Sequence, residues 1–286
     1  MNYLYLISLL LLVSSNQNKE WTILLDKELS QWDNYLSYAY PEGYNGEIPK
    51  DAQGNALKPI GVNNDSFGVF TILEKEGEPV LRISGEYYGC VVTKKEYQNY
   101  HLKLKVKWGD LVWHPRKKLL KDSGVLYHSI GPHGAEYWRS WMLSQEFQVM
   151  QGHMGDFWNQ ATSAIDIRAY IPESIMNPVA DKSQAFLPIG EGEEVSSYCM
   201  RSANFEKPHG EWNSLELICF EGKSLHIVNG EVVMILQNSR YVENGKKIPL
   251  EKGKIQLQSE AAEVFYKDIA MKEISALPKD YQMYFE

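Results

Sequence analysis

The chain has 286 residues, enough to bury a sizeable core as one large β domain or two ordinary ones. Its 44% hydrophobic and 23% charged residues, with only 21 Gly and 12 Pro, exclude collagen-like, low-complexity and largely disordered chains. A formal net charge of −8, with no Lys/Arg cluster to offset it, makes nucleic acid and anionic membrane poor partners.

In chain order, Leu4 to Val13 is an almost unbroken apolar run followed by Ser14, Ser15 and a polar stretch. Such a run is too short to span a bilayer and fits the apolar part of a secretory signal. Residues 1–15 therefore read as a signal peptide and 20–286 as a single mature domain, periplasmic or secreted and without a membrane span. Tyr40 to Asn64, rich in Pro, Gly and Asn, reads as a long loop. Strand patterns follow at Val80–Ser84, Gly89–Thr93 and Tyr100–Trp108. In the last of these, Leu102, Leu104 and Val106 alternate with Lys103, Lys105 and Lys107, giving one core face and one cationic face in water. Gly124–Ser129 and Gln145–Met150 come next, then a second long loop, Pro172–Ser197, and then Ser214–Phe220, Ser224–Val228, Glu231–Leu236, Lys254–Gln258 and Val264–Met271. Asn229-Gly230 is a two-residue hairpin signal, because both central positions of that turn need positive φ. No amphipathic helical periodicity extends over ten or more residues. Many short strands punctuated by turns predict an all-β antiparallel sandwich with long loops that border a binding cleft. Cys90, Cys199 and Cys219 form no C-x-x-C pair and read as buried small hydrophobes.

Chemistry concentrates between His101 and Trp158, which hold five of the seven His and five of the eight Trp. On the strands there, Leu126 and His128 are expected on one side and Val125 and Tyr127 on the other. Likewise Glu146 and Gln148 share a face opposite Phe147 and Val149, and Gln256, Gln258 and Glu260 oppose Ile255 and Leu257. Rows of Glu and Gln beside Trp suit a carbohydrate: amides and carboxylates match hydroxyl pairs, and aromatic faces match the apolar side of a pyranose. Taken singly, each outward Glu or Gln is also compatible with solvated surface, and each Trp with core packing. The chain lacks G-x-S-x-G, H-E-x-x-H, P-loop and G-x-G-x-x-G motifs. The E-x-D-x-E spacing of sandwich glucanases is also absent, since Gln148 follows Glu146, so hydrolysis by a strand-borne carboxylate pair is not supported.

The strings DSGVLYHSIGPHG (122–134), SQEFQVMQGHMGDFW (144–158), GEWNSLEL (210–217) and GKIQLQSEAAEVFYKDI (253–269) resemble the 3-keto-disaccharide hydrolase domain family, in order and over most of the chain. One departure is Gly134-Ala135-Glu136-Tyr137-Trp138-Arg139-Ser140-Trp141, where the family is often Gly-rich. The resemblance implies a jelly-roll sandwich of the concanavalin A-like lectin/glucanase type and an exported enzyme that cleaves 3-keto-glycosides. A 3-keto group acidifies the hydrogen at carbon 2, so a base can remove it and the aglycone leaves from carbon 1; water then adds. Such chemistry needs a base, an acid and a stabiliser for the enolate. On this reading Glu146 and His128 form the acid/base set. Gln148 and Gln258 grip hydroxyls, Trp141 and Trp158 stack on sugar, Arg168 supplies positive charge and His153 binds substrate. Alternatively, His128, Glu146 and His153 hold a divalent metal ion as the electrophile. A non-catalytic carbohydrate-binding sandwich using the same polar face is the other open reading. The sequence carries no signal for an oligomeric state.

Overall fold

The structure is a computed structural model that describes residues 20–286, so the signal-peptide reading lies outside the described residues. Two sheets, both built from antiparallel pairs, face each other. The smaller sheet runs Tyr198–Cys199, Phe157–Gln160, Leu143–Met150, Asp122–Ile130, Lys254–Ser259, Gly89–Thr93, Trp32–Leu36 and Gly61–Val62. The larger sheet is centred on Asn213–Phe220, Tyr100–Val112 and Ala262–Glu273. This is the expected all-β antiparallel sandwich. The one helix among the described residues is the short Lys279–Gln282. No helix of the described residues is long and apolar enough to cross a membrane.

Alternation places the side chains. Val125, Tyr127, Phe147, Val149, Ile255 and Leu257 from the smaller sheet meet Leu102, Leu104, Val106, Leu215, Leu217 and Val264 from the larger one in the interlayer core. Burying this apolar surface drives the two sheets together. The period of two then turns Leu126, Glu146, Gln148, Gln256 and Gln258 onto the opposite face of the smaller sheet. That face is not bare. Loop aromatics Tyr38, Tyr40, Tyr88 and Trp141 pack over Leu126, Cys90 and Val92 as a second apolar cluster. They roof one side of the face and leave the remainder as a cleft.

Asn229 and Gly230 have φ of 52° and 91° and join Lys223–Val228 to Glu231–Glu243 with Val228 opposite Glu231, as the turn signal requires. The three cysteines are free and buried. The expected loop Pro172–Ser197 instead contains the short strand Val179–Ala180 and the strand Phe186–Gly190, which pairs with Ser163–Tyr170. Pro188 hid it, since proline is tolerated in a strand only where no ladder donor is needed, as at an edge. Trp32–Leu36, Phe70–Lys75 and Phe157–Gln160 are further strands without a clean alternating signature.

Candidate active site

Three strands and two loops build the cleft. Register sets Trp158 beside Glu146, Glu146 beside Leu126, and Gln148 beside Gly124, so the side chains on this face form rows across the sheet. The cleft, of about 580 Å³, is lined by Glu146, Gln148, Trp158 and Gln160 on the strands. Glu136, Tyr137, Trp138 and Trp141 come from the 131–142 loop, and Arg116, Asp122 and Glu260 close the far end.

Gly124 makes the floor. A Cβ built there would overlap Oε1 of both Glu146 and Gln258. Only a glycine lets these two side chains lie across the strand. Gly124→Ala is therefore expected to cost about 1–3 kcal/mol by overpacking and to displace the Glu146 carboxyl. Urea denaturation and loss of sugar binding in calorimetry check this; unchanged binding contradicts it.

Glu146 is 2% exposed and accepts a hydrogen bond from Gln160 Nε2. Burial first, and then repulsion from Glu260 and Glu136, raise its pKa well above the ordinary carboxylate value against the Gln160 bond and the more distant Arg116. Arg116 reaches in from a loop and pairs with both Asp122 and Glu260, its Nη2 lying 2.7 Å from Glu260 Oε1. Asp122 and Glu260 form an isolated bridge and are almost fully buried. Desolvation raises the pKa of each, while the guanidinium pulls it down. Glu136 accepts backbone N–H bonds from Trp138, Ser140 (2.6 Å) and Trp141 (2.9 Å), and burial pushes its pKa up to about 7 despite them. Four carboxyls thus share one cleft with one guanidinium, an arrangement that raises their proton affinity above that of ordinary carboxylates.

Polar atoms without a protein partner point to the ligand. Gln148 Oε1, both amide atoms of Gln258, Trp158 Nε1 and Asp122 Oδ1 are buried without a hydrogen bond. Leaving such groups unpaired is costly, so a cluster of them calls for a polar occupant. Gln256, by contrast, is satisfied by Ser129, Cys90 and the Met142 amide and serves as scaffold.

The expected site residues divide accordingly. The structure gathers Glu146, Gln148, Gln258 and Trp158 around this floor. Trp141 lines the cleft but is 1% exposed and tied through Nε1 to the Gly89 carbonyl, so it is a wall more than a free stacking platform. His128 does not join Glu146. A β-bulge follows Tyr127, and His128 takes φ 53°, which turns its ring into the interlayer core against Tyr100 and Tyr127. There its Nδ1 lies 3.0 Å from the Leu250 carbonyl, and burial lowers its pKa to about 4. Arg168 is on the larger sheet, bonded to carbonyls of Gln184, Tyr284 and Glu286, and cannot serve this cleft. Asp166, two residues before it, pairs with Arg240 at 2.8 Å. His153 sits in a turn outside the cleft lining, 3.0 Å from Asp156. The trio proposed for a metal is accordingly not brought together, and the described residues contain no group of three or more His, Cys, Asp or Glu placed to hold one. Asp122, Arg116, Glu136 and Gln160 were not anticipated. The signal for Asp122 was its place two residues before Gly124 on the same strand face; Arg116, in a loop, left none.

Fold and cleft together define an antiparallel β-sandwich with an acidic, amide-rich, Trp-walled site of the kind that suits a carbohydrate. The chain belongs to the family described as the 3-keto-alpha-glucoside-1,2-lyase-like domain, whose profile matches residues 20–272. Membership assigns it a carbohydrate-active role. No curated protein matches the sequence. Among solved structures it is similar to a protein from Parabacteroides distasonis ATCC 8503 provisionally named a glycosyl hydrolase, 18% identical, covering 89% of this chain and 94% of that one with a TM-score of 0.46. It is also similar to a carbohydrate binding module from Bacillus subtilis (8% identity, 71% and 92% covered, TM-score 0.40). A third is the Bacillus licheniformis β-glucanase (9% identity, 91% and 99% covered, TM-score 0.39).

Proposed function

We propose that the protein is an exported enzyme that cleaves 3-keto-glycosides by elimination across carbons 1 and 2 followed by hydration. The observation that carries this reading is the pairing of a buried carboxyl, Glu146, whose pKa burial pushes well above the ordinary range, with buried, unpartnered polar atoms in the same cleft. Asp122 Oδ1, whose sister oxygen is held by Arg116, is the base that removes the hydrogen from carbon 2. The electron pair moves onto the 3-keto oxygen as an enolate, and the Gln258 amide N–H, free of any protein acceptor, donates to it. The enolate reforms the ketone as the bond from carbon 1 to the aglycone oxygen breaks, and Glu146 passes its proton to that oxygen. Water then adds through its oxygen to carbon 1 and gives a proton to Glu146, while Asp122, its proton exchanged with solvent once the aglycone has left, returns a solvent-derived proton to carbon 2, so both residues regain their starting states. Trp158 and Gln148 orient the ring. The apolar run Leu4 to Val13 supports export to the periplasm or medium.

Turnover in deuterium oxide tests the elimination. The keto-sugar product is expected to carry deuterium at carbon 2, read by mass spectrometry after quenching at partial conversion, with a no-enzyme control for spontaneous exchange. A product without enzyme-dependent deuterium there contradicts the mechanism.

A further inference from the structure

The outer face of the larger sheet, on the far side of the molecule from the cleft floor, carries a ladder of alternating aromatic rings and ammonium groups. Lys103, Lys105 and Lys107 project from one face of Tyr100–Val112, spaced by the period of two. Lys107 lies 5.5 Å from the Phe265 ring centre and 5.0 Å from that of Trp212, and Lys267 lies 4.8 Å from Trp212. Lys75 lies over the Phe265 ring at 5.5 Å. At the other end Trp21, 38% exposed, stands 5.2 Å from Lys103. At the Trp21 end lies a groove of about 690 Å³ with Trp21, Lys103, Lys105, Ser214 and the carboxylates Glu78 and Asp268 in its lining.

Charge on this face is unevenly satisfied. Lys103 pairs with Glu216 at 3.2 Å and Lys105 with Asp268 at 2.9 Å. Among the described residues, Lys75, Lys107 and Lys267 form no salt bridge to a carboxylate and lie over aromatic rings. Three uncompensated ammoniums within one aromatic ladder stand out on a chain whose net charge is −8. Cation–π contacts hold the ammoniums over the rings but leave their N–H donors free for an anion. From Lys103 to Lys107 is about 13 Å along the strand, the reach of a short oligosaccharide.

We propose that this face is a second carbohydrate-binding surface, specific for an acidic glycan chain whose carboxylate or sulfate groups meet Lys107 and Lys267 while its rings lie against Trp212 and Trp21. A neutral glycan leaves the ammoniums unanswered. Nucleic acid is the weaker fit, because three free cations on an acidic protein give little phosphate neutralisation. The surface is independent of the chemistry assigned to the cleft.

Calorimetric titration of the full chain with polygalacturonate, dextran and single-stranded DNA tests it, at low and at high salt. Polygalacturonate is expected to bind, more weakly at high salt, and dextran not to bind. Lys107→Gln with Lys267→Gln is expected to weaken binding at least about tenfold while glycoside cleavage is unchanged. Trp212→Ala, with its fold checked by circular dichroism, should weaken it as well. Failure of polygalacturonate to bind, binding unaffected by the double lysine substitution, or single-stranded DNA bound as tightly each overturns the assignment. None of these outcomes bears on cleavage at Glu146.

Discussion

Glu146→Gln is expected to lower kcat by about 10²–10⁴-fold on a 3-keto-disaccharide, the range that one general acid–base group contributes. The substitution keeps the shape of the side chain and an acceptor for Gln160 Nε2, so the fold and the cleft should survive. The pH dependence supplies a second readout. Because burial raises the pKa of Glu146 above its unfolded value, the folded state keeps this proton to higher pH than the unfolded chain does. Wild-type kcat should therefore fall as pH rises through the raised value, where the acid is lost. The stability contribution of Glu146 declines over the interval from the unfolded to the folded value. In Glu146→Gln that part of the stability slope disappears. Equal turnover in variant and wild type removes Glu146 from the chemistry.

Arg116→Met is the substitution expected to damage stability most. It removes the cation paired with two nearly buried carboxyls and leaves Asp122 and Glu260 uncompensated, a loss of about 3–5 kcal/mol for breaking a buried pair. Protonation offers relief. Without the guanidinium both carboxyls take pKa values higher still, so the folded variant binds more protons than its unfolded state over a wider range, and its stability falls as pH rises. Urea midpoints at about pH 5 and about pH 8 should thus differ more for the variant than for the wild type. A penalty that is the same at both pH values contradicts the pairing. Catalysis should fall too, because Asp122 loses the guanidinium that pulls its pKa down toward the ionised form.

Much of this architecture was legible in the sequence because the sandwich writes its faces in a period of two. The split between Val125/Tyr127 and Leu126, between Phe147/Val149 and Glu146/Gln148, and between Ile255/Leu257 and Gln256/Gln258 follows from alternation alone. The same period puts Glu260 on this face after Gln258 and, carried two steps back from Leu126, reaches Asp122; both carboxyls line the cleft. His128 shows where the rule fails. Alternation puts it beside Leu126, but a bulge and a positive φ reverse it, and neither leaves a mark in a stretch without glycine at that position. Arg116 and Glu136 were out of reach for another reason. Loops carry no period, and their positions are decided by partners distant in sequence, such as Glu260 for Arg116. Arg168 stood on a correctly alternating strand segment, yet the sheet to which that strand belongs is decided by pairing with Glu231–Glu243, which no local pattern encodes.

The most direct measurement of the account is a comparison of two substrates. The purified protein is incubated with a 3-keto-disaccharide and, separately, with the same disaccharide unoxidised, and released monosaccharide is quantified. Cleavage of the keto sugar alone is the predicted result, since only the ketone makes the hydrogen at carbon 2 removable by a carboxylate. Cleavage of the unoxidised sugar at a comparable rate, or binding of both without cleavage of either, contradicts it.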